Sequence, residues 1–228
     1  SYEVTWADGK VEHIYAASRF PDHGDPVSIR EPWILGQIIL PGEYMGNVMT
    51  LLYEHEGTVL DTETFSDGRT ILDVEMPLRE LMRGFFDKLK NASSGYASLS
   101  YEIAEMRAAN VTRMDVLVAE ELVPAFSRVV GIARAETDAK LITERLYNNL
   151  PRQQFATKIQ ARVMGKLTAT KKLSAMRKDV TAKLYGGDIT RKRKLLENQK
   201  KGKEKALARG TGNVQIPPDV FMKMIKSE

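Results

Sequence analysis

The sequence has no cysteine, so disulfides and thiolate metal sites are excluded, as fits a reducing compartment. Its three histidines, His13, His23 and His55, are far apart. They read as surface or loop residues, not as a metal cluster or the base of a catalytic triad. No apolar run approaches the ~18 residues that a membrane span needs, and no secretion signal opens the chain. There is no GxxxxGK[ST] phosphate loop. The stretch "MGKLT" at 164–168 is similar, but Leu167 stands where Ser or Thr would hold magnesium and Gln160 where the first glycine should be. GxSxG, HExxH and paired-carboxylate motifs are missing too, and Glu120-Glu121 reads as a solvated face. No catalytic residue, metal or cofactor site is expected in this chain.

Positive charge is plentiful but concentrated. Residues 161–209 hold 16 Lys+Arg and 4 Asp+Glu, a net of +12, while the remainder nets −8 and the whole only +4. A basic part joined to an acidic one points to a polyanionic partner for the first alone.

Alternation and turn residues place the elements. Residues 2–15 read as a β-hairpin with Asp8-Gly9 at its turn, expected to be the tail of a domain that begins upstream. Residues 33–104 give a βαββαβ order. "WILGQIIL" is a strand. The next helix puts Tyr44, Val48, Leu51 and Leu52 on one face, is closed by Gly57, and carries Gly46 at an expected close contact. Two strands then flank the turn Ser66-Asp67-Gly68. A helix after Pro77 turns Leu78, Leu81, Met82, Phe85 and Leu89 inward, and "GYASLSYEI" is the last strand. This pattern predicts an α+β ferredoxin-like sandwich, with its apolar stripes as core.

A second α+β unit follows over 111–170. "TRMDVLVAE" and "VPAFSRVV" read as strands, and a helix with Ala135, Ala139, Ile142 and Leu146 on one face ends before Pro151. From 155 to 170 one strand is expected, with Phe155, Thr157, Ile159, Ala161 and Val163 inward and Lys158, Gln160 and Arg162 outward. Residues 171–185 read as a helix with Leu173, Met176, Val180 and Leu184 buried, Lys171 and Lys178 on the opposite side, and Lys172 and Lys183 on a flank. Gly186-Gly187 ends it. A second helix over about 190–208 carries Arg191, Lys192, Arg193, Lys194, Lys200, Lys201, Lys203 and Lys205, with Arg209 just beyond. Its few apolar residues cannot hold it down by packing. The tail "VQIPPDVFMKMIKSE" is expected to dock back.

Such a surface favours nucleic acid through counterion release. Tyr185 is the one aromatic residue in the basic stretch, so stacking on single strands is not the expected mode; lysine-rich helices suit the phosphates and shape of folded RNA. The competing polyanion is an anionic membrane surface, and a stand-alone RNA-binding or ribosome-assembly protein is a further alternative.

Four stretches carry a family resemblance: "EPW…IILPGEYMGNVM", "RGFFDKLKNASSGYASLSYE", "LPRQQFATKIQA" and "RKDVTAKLYGGDITRKRKLLENQKKGKEKALARGTGNVQIPPDVF". Together they resemble the C-terminal half of the LepA, or elongation factor 4, family of ribosome-dependent translational GTPases. The last stretch is similar to the domain peculiar to that family. The resemblance implies three parts: the end of a preceding domain with its linker over 1–30, a domain like domain V of elongation factor G over 31–108, and the LepA-specific C-terminal domain over 109–228. It implies a monomer that contacts the ribosome, with ribosomal RNA near the GTPase-associated and peptidyl-transferase centres and the tRNA acceptor arm as partners. Lys158, Arg162, Lys171, Lys172, Lys178, Lys183, Tyr185, Gly186, Gly187 and the cations of 191–209 are the expected RNA contacts. GTP and magnesium are expected in an N-terminal domain of the parent. The implied location is the bacterial cytoplasm, with peripheral membrane association, or an organellar matrix as the alternative. Two departures stand out: acidic residues flank His55 where the family often has a basic pair, and Leu184 replaces a frequent cysteine.

Overall fold

A computed structural model describes residues 1–21, 26–176, 181, 189–208 and 214–226. The chain forms two units, one of Ser1–Val111 with the C-terminal end from Ile225, the other of Thr112–Met224.

The first unit is organised by one long strand. β1 (Tyr2–Trp6) and β2 (Val11–Ile14) form the expected hairpin, and β3 runs over sixteen residues, Pro26–Pro41. β4 (Thr58–Thr64), β5 (Arg69–Pro77) and β6 (Ser98–Ala108) complete an antiparallel sheet. One edge of β3 is shared, β1 pairing with its first part and β5 with its second; β6 runs along the other edge. The order β6-β3-β5-β4 is that of the ferredoxin-like sandwich, and the hairpin extends it. Asp8-Gly9 and Ser66-Asp67-Gly68 form the turns expected of them, with Gly9 and Gly68 at φ of +81° and +85°.

Helices cover one face of this sheet. α1 (Met45–Glu54) buries Val48, Leu51 and Leu52 against Ile34, Ile38, Leu72 and Val74. Each such side chain contributes roughly 1.5–3 kcal/mol when buried. Gly57 does not close the helix as a left-handed residue; Glu56 takes the positive φ, +54°. Gly57 is there for space, since a Cβ would lie 2.9 Å from Leu52 Cδ2 and 3.1 Å from its carbonyl oxygen. The close contact expected at Gly46 does not exist, because nothing lies within 4 Å of a Cβ built there. The helix after Pro77 is not continuous either. α2 (Leu78–Glu80) and α3 (Phe86–Ala92) flank an irregular turn in which Arg83 leaves helical geometry and Gly84 takes a φ of +72°. Leu81, Phe85 and Leu89 still face the core, but the break turns Met82 out to 69% exposure.

That break accommodates a buried charge network, and it corrects the reading of His55, which is fully buried. Its Nδ1 lies 3.1 Å from both the carbonyl and the carboxylate of Glu80, and its Nε2 3.1 Å from Lys88 Nζ. Both ring nitrogens are thus within hydrogen-bond distance of polar partners. Glu80 also takes Arg79 and Arg83, and Arg79 reaches on to Glu31 and Glu56. Burial alone would raise the Glu80 carboxyl, but the bond from His55 and the two guanidinium groups hold it down at about 2. Burial raises the Glu31 carboxyl in spite of Arg79.

The second unit departs further from its expected elements. β7 (Val111–Val118) is central, with β8 (Glu121–Leu122), β9 (Arg128–Gly131) and β10 (Thr157–Val163) paired to it. "VPAFSRVV" is not one strand: a single 3-10 turn over Pro124–Phe126 buries Phe126 before β9 begins. The stretch read as one strand over 155–170 folds back at Met164-Gly165, both at positive φ, and returns as β11 (Lys166–Leu173). A two-residue hairpin turn requires that geometry. Lys171, Lys172 and Leu173 therefore belong to a strand, not to a helix over 171–185. Leu173 is buried from β11, and Met176 is 56% exposed. Val180 and Leu184 lie outside the described residues.

α4 (Ala135–Asn149) buries Ala135, Ala139, Ile142 and Leu146 on the sheet as expected. α5 (Ile189–Ala208) has no buried side chain through Lys205. α6 (Pro218–Lys226) docks the tail: Val220 and Met224 enter the core, and Phe221 stacks on Phe126 at 4.9 Å.

Candidate nucleic-acid interface

The expected contacts divide into two groups. On the hairpin, cations meet carboxylates. Lys158 donates to Glu120 at 2.7 Å, and this bond lowers the Glu120 carboxyl. Lys171 lies on the α4 side of the sheet, donates to Glu144 at 2.9 Å, and stands 5.4 Å from the Tyr147 ring centre. Arg162 donates to Asp115 at 3.3 Å. Asp115 is 1% exposed and also accepts from Arg113 and Ser127. Gln160, expected to face outward, is buried. On this hairpin Lys172 remains exposed, as does Lys166, which alternation did not single out. Gly165 inside the alternating run was the signal for the turn beside it.

α5 differs. At 100° per residue, Arg191, Lys194, Lys201 and Lys205 fall on one side, spanning about 21 Å of axis. Lys192, Arg193, Lys200 and Lys203 fall on the other, beside Ile189 and Leu196. Arg193 lies 3.7 Å from Glu197, and Lys203 donates to the Met176 carbonyl at 2.8 Å. Among the described residues, Lys192, Lys194, Lys200, Lys201 and Lys205 form no ion pair. Their charges repel one another along a helix that packing does not hold, so an external polyanion lowers its energy. Lys178, Lys183, Tyr185, Gly186, Gly187 and Arg209 lie outside the described residues. No group of three or more His, Asp or Glu side chains that could hold a metal occurs among the described residues.

Comparison with known proteins gives each part of the chain a counterpart. Residues 28–117 match the family model described as the C-terminus of elongation factor G, and residues 118–226 the one described as the C-terminus of the GTP-binding protein LepA. The chain carries the C-terminal part of the elongation factor 4 (LepA) family. It is 42% identical over 225 residues to the elongation factor 4 of Clostridioides difficile, an alignment covering 99% of this chain and 37% of that one. It is 42% identical over 229 residues to that of Leptospira biflexa, with the same two coverages, and 40% over 227 residues to that of Oceanobacillus iheyensis, covering 100% and 37%. The chain thus spans a little over a third of the length of the elongation factor 4 relatives it matches.

Proposed function

We propose that this chain is the RNA-contacting C-terminal portion of a LepA-like translation factor that acts on the ribosome in translocation or at stalled complexes. Residues 31–108 would face the GTPase-associated region, and residues 109–228 the tRNA acceptor arm and ribosomal RNA. GTP hydrolysis, with its magnesium, would belong to the remainder of such a protein, in the cytoplasm. The observation that carries the reading is α5, a solvent-exposed helix whose lysines form few ion pairs among the described residues. Phosphate contacts give affinity without base specificity.

The test replaces Arg191, Lys192, Arg193 and Lys194 with alanine and measures tRNA affinity against salt. Each lost phosphate contact flattens the slope of log affinity against log salt by roughly 0.7–0.9. An unchanged slope in a folded variant would show α5 to be an ordinary solvated surface. Exposed Ile189 and Leu196 beside the cations favour a second reading, peripheral contact with an anionic membrane. Sedimentation with vesicles of anionic lipid, in competition with tRNA, separates the two.

A further inference from the structure

The sheet of the first unit has a second face, which no helix of that unit covers. β3 to β6 contain no lysine. The pairing register puts Asp61 and Glu63 of β4, Asp73 and Glu75 of β5, and Glu102 of β6 on this face together with Leu35, Gln37 and Ile39 of β3. Leu60, in the β4 bulge, is 54% exposed beside them. A groove of about 510 Å³ runs between Leu35, Leu60, Asp73, Ser100 and Glu102. The two guanidinium groups at the ends of this surface are engaged: Arg69 by Asp67, and Arg107 by Glu75 and Glu105.

We propose that this face docks a lysine- and arginine-rich, extended segment of a protein partner. Charge sets the class of partner, since phosphates would meet a row of carboxylates and be repelled. Form sets the rest. An extended segment alternating basic and apolar residues presents both every second position, matching carboxylates that border an apolar groove. Arg107 shows the mode within the chain itself, its guanidinium held by two carboxylates and lying 4.7 Å from the Trp33 ring centre. Addition to the free edge of β4 is disfavoured by the bulge at Leu60 and by the charges of Asp61 and Glu63, so the segment lies across the face. The inference does not depend on RNA binding by α5.

The test titrates the full chain with a synthetic twelve-residue peptide of alternating arginine and leucine at physiological salt, following amide resonances. Shifts should centre on β3–β6. The triple variant Asp61→Lys, Glu63→Lys, Glu102→Lys should weaken binding by about tenfold or more. A triple of equal charge change off the face, Glu12→Lys, Glu43→Lys, Asp87→Lys, should stay within about twofold of the parent. Leu60→Ser, at an exposed position, should also weaken binding. Equal loss in both triples would mean simple net-charge attraction and overturn the proposal, as would full binding by Leu60→Ser. Shifts at the same residues with a 20-base-pair RNA duplex would make the face a nucleic-acid surface. Concentration-dependent dimers abolished by the first triple would put a second copy of this chain there instead. Either result overturns the partner proposed.

Discussion

The β10–β11 hairpin and α5 are both rich in cations, yet they use them differently. On the hairpin, Lys158, Arg162 and Lys171 answer Glu120, Asp115 and Glu144, carboxylates 27–47 residues away in sequence. On α5, Arg193 lies beside Glu197 at i and i+4, and Lys192, Lys194, Lys200, Lys201 and Lys205 form no ion pair among the described residues. Cations of the first kind bridge elements of the fold; five of the eight on α5 form no ion pair among the described residues. Charge counted along a sequence gives the total and not this division, and the division decides which side chains can meet a phosphate.

Removing a committed carboxylate should give the largest effect. Asp115→Ala leaves the guanidinium groups of Arg113 and Arg162 without their shared acceptor and should cost about 3–5 kcal/mol in urea unfolding. The four-alanine variant of α5 should change stability by less than about 0.5 kcal/mol. Similar losses in both would erase the distinction between hairpin and helix.

The first unit sharpens the comparison through pH. The Glu80 carboxyl is lowered in the fold from an ordinary value of 4.5 to about 2. Its stabilisation is therefore complete above about pH 4.5 and lost as pH falls toward 2. Glu31, raised by burial, works in the opposite sense and relieves part of the loss on acidification. Glu80→Gln should destabilise at pH 7 and flatten the stability curve between pH 4.5 and 2. A variant with the parental slope in that window would show that Glu80 does not carry the acid sensitivity.

Commitment can be tested without charge as well. Gly57→Ala forces a methyl group against Leu52 and Met76 and should cost about 1–3 kcal/mol. Gly46→Ala meets open space inside α1 and should stabilise by about 0.5–1 kcal/mol. Thermal unfolding of the two variants should move in opposite directions.

What could be read from the sequence was local. Asp8-Gly9 and Ser66-Asp67-Gly68 announce their turns because glycine supplies the positive φ next to an aspartate. The βαββαβ order followed from periodicity together with the turn and stop residues Gly57, Ser66-Asp67-Gly68 and Pro77. Met164-Gly165 was missed because methionine is an unusual first residue for such a turn and the alternation continues on both sides of it. Lys171–Leu173 read as helical because the lysines and Leu173 suit a helix face; pairing with Thr157–Ile159 overrides that preference. His55 read as exposed because its partners, Glu80 and Lys88, are 25 and 33 residues away. Within the candidate interface, α5 was legible because helix formers and cations dominate it. The engagement of Arg162 was not, since Asp115 approaches it only through the pairing of β7 with β10.

The length of β3 has a consequence for how the chain is made. Its sixteen residues leave the ribosome with one neighbour already present, β1, whereas β5 and β6 follow only at 69–77 and 98–108. Until residue 108 has emerged, one edge of an apolar strand stays open, and closing the sheet must await contacts of long sequence separation. Such an interval exposes the nascent chain to wrong pairing with its neighbours. Truncations ending before 98 should accordingly be insoluble when expressed, while those ending after 111 should fold.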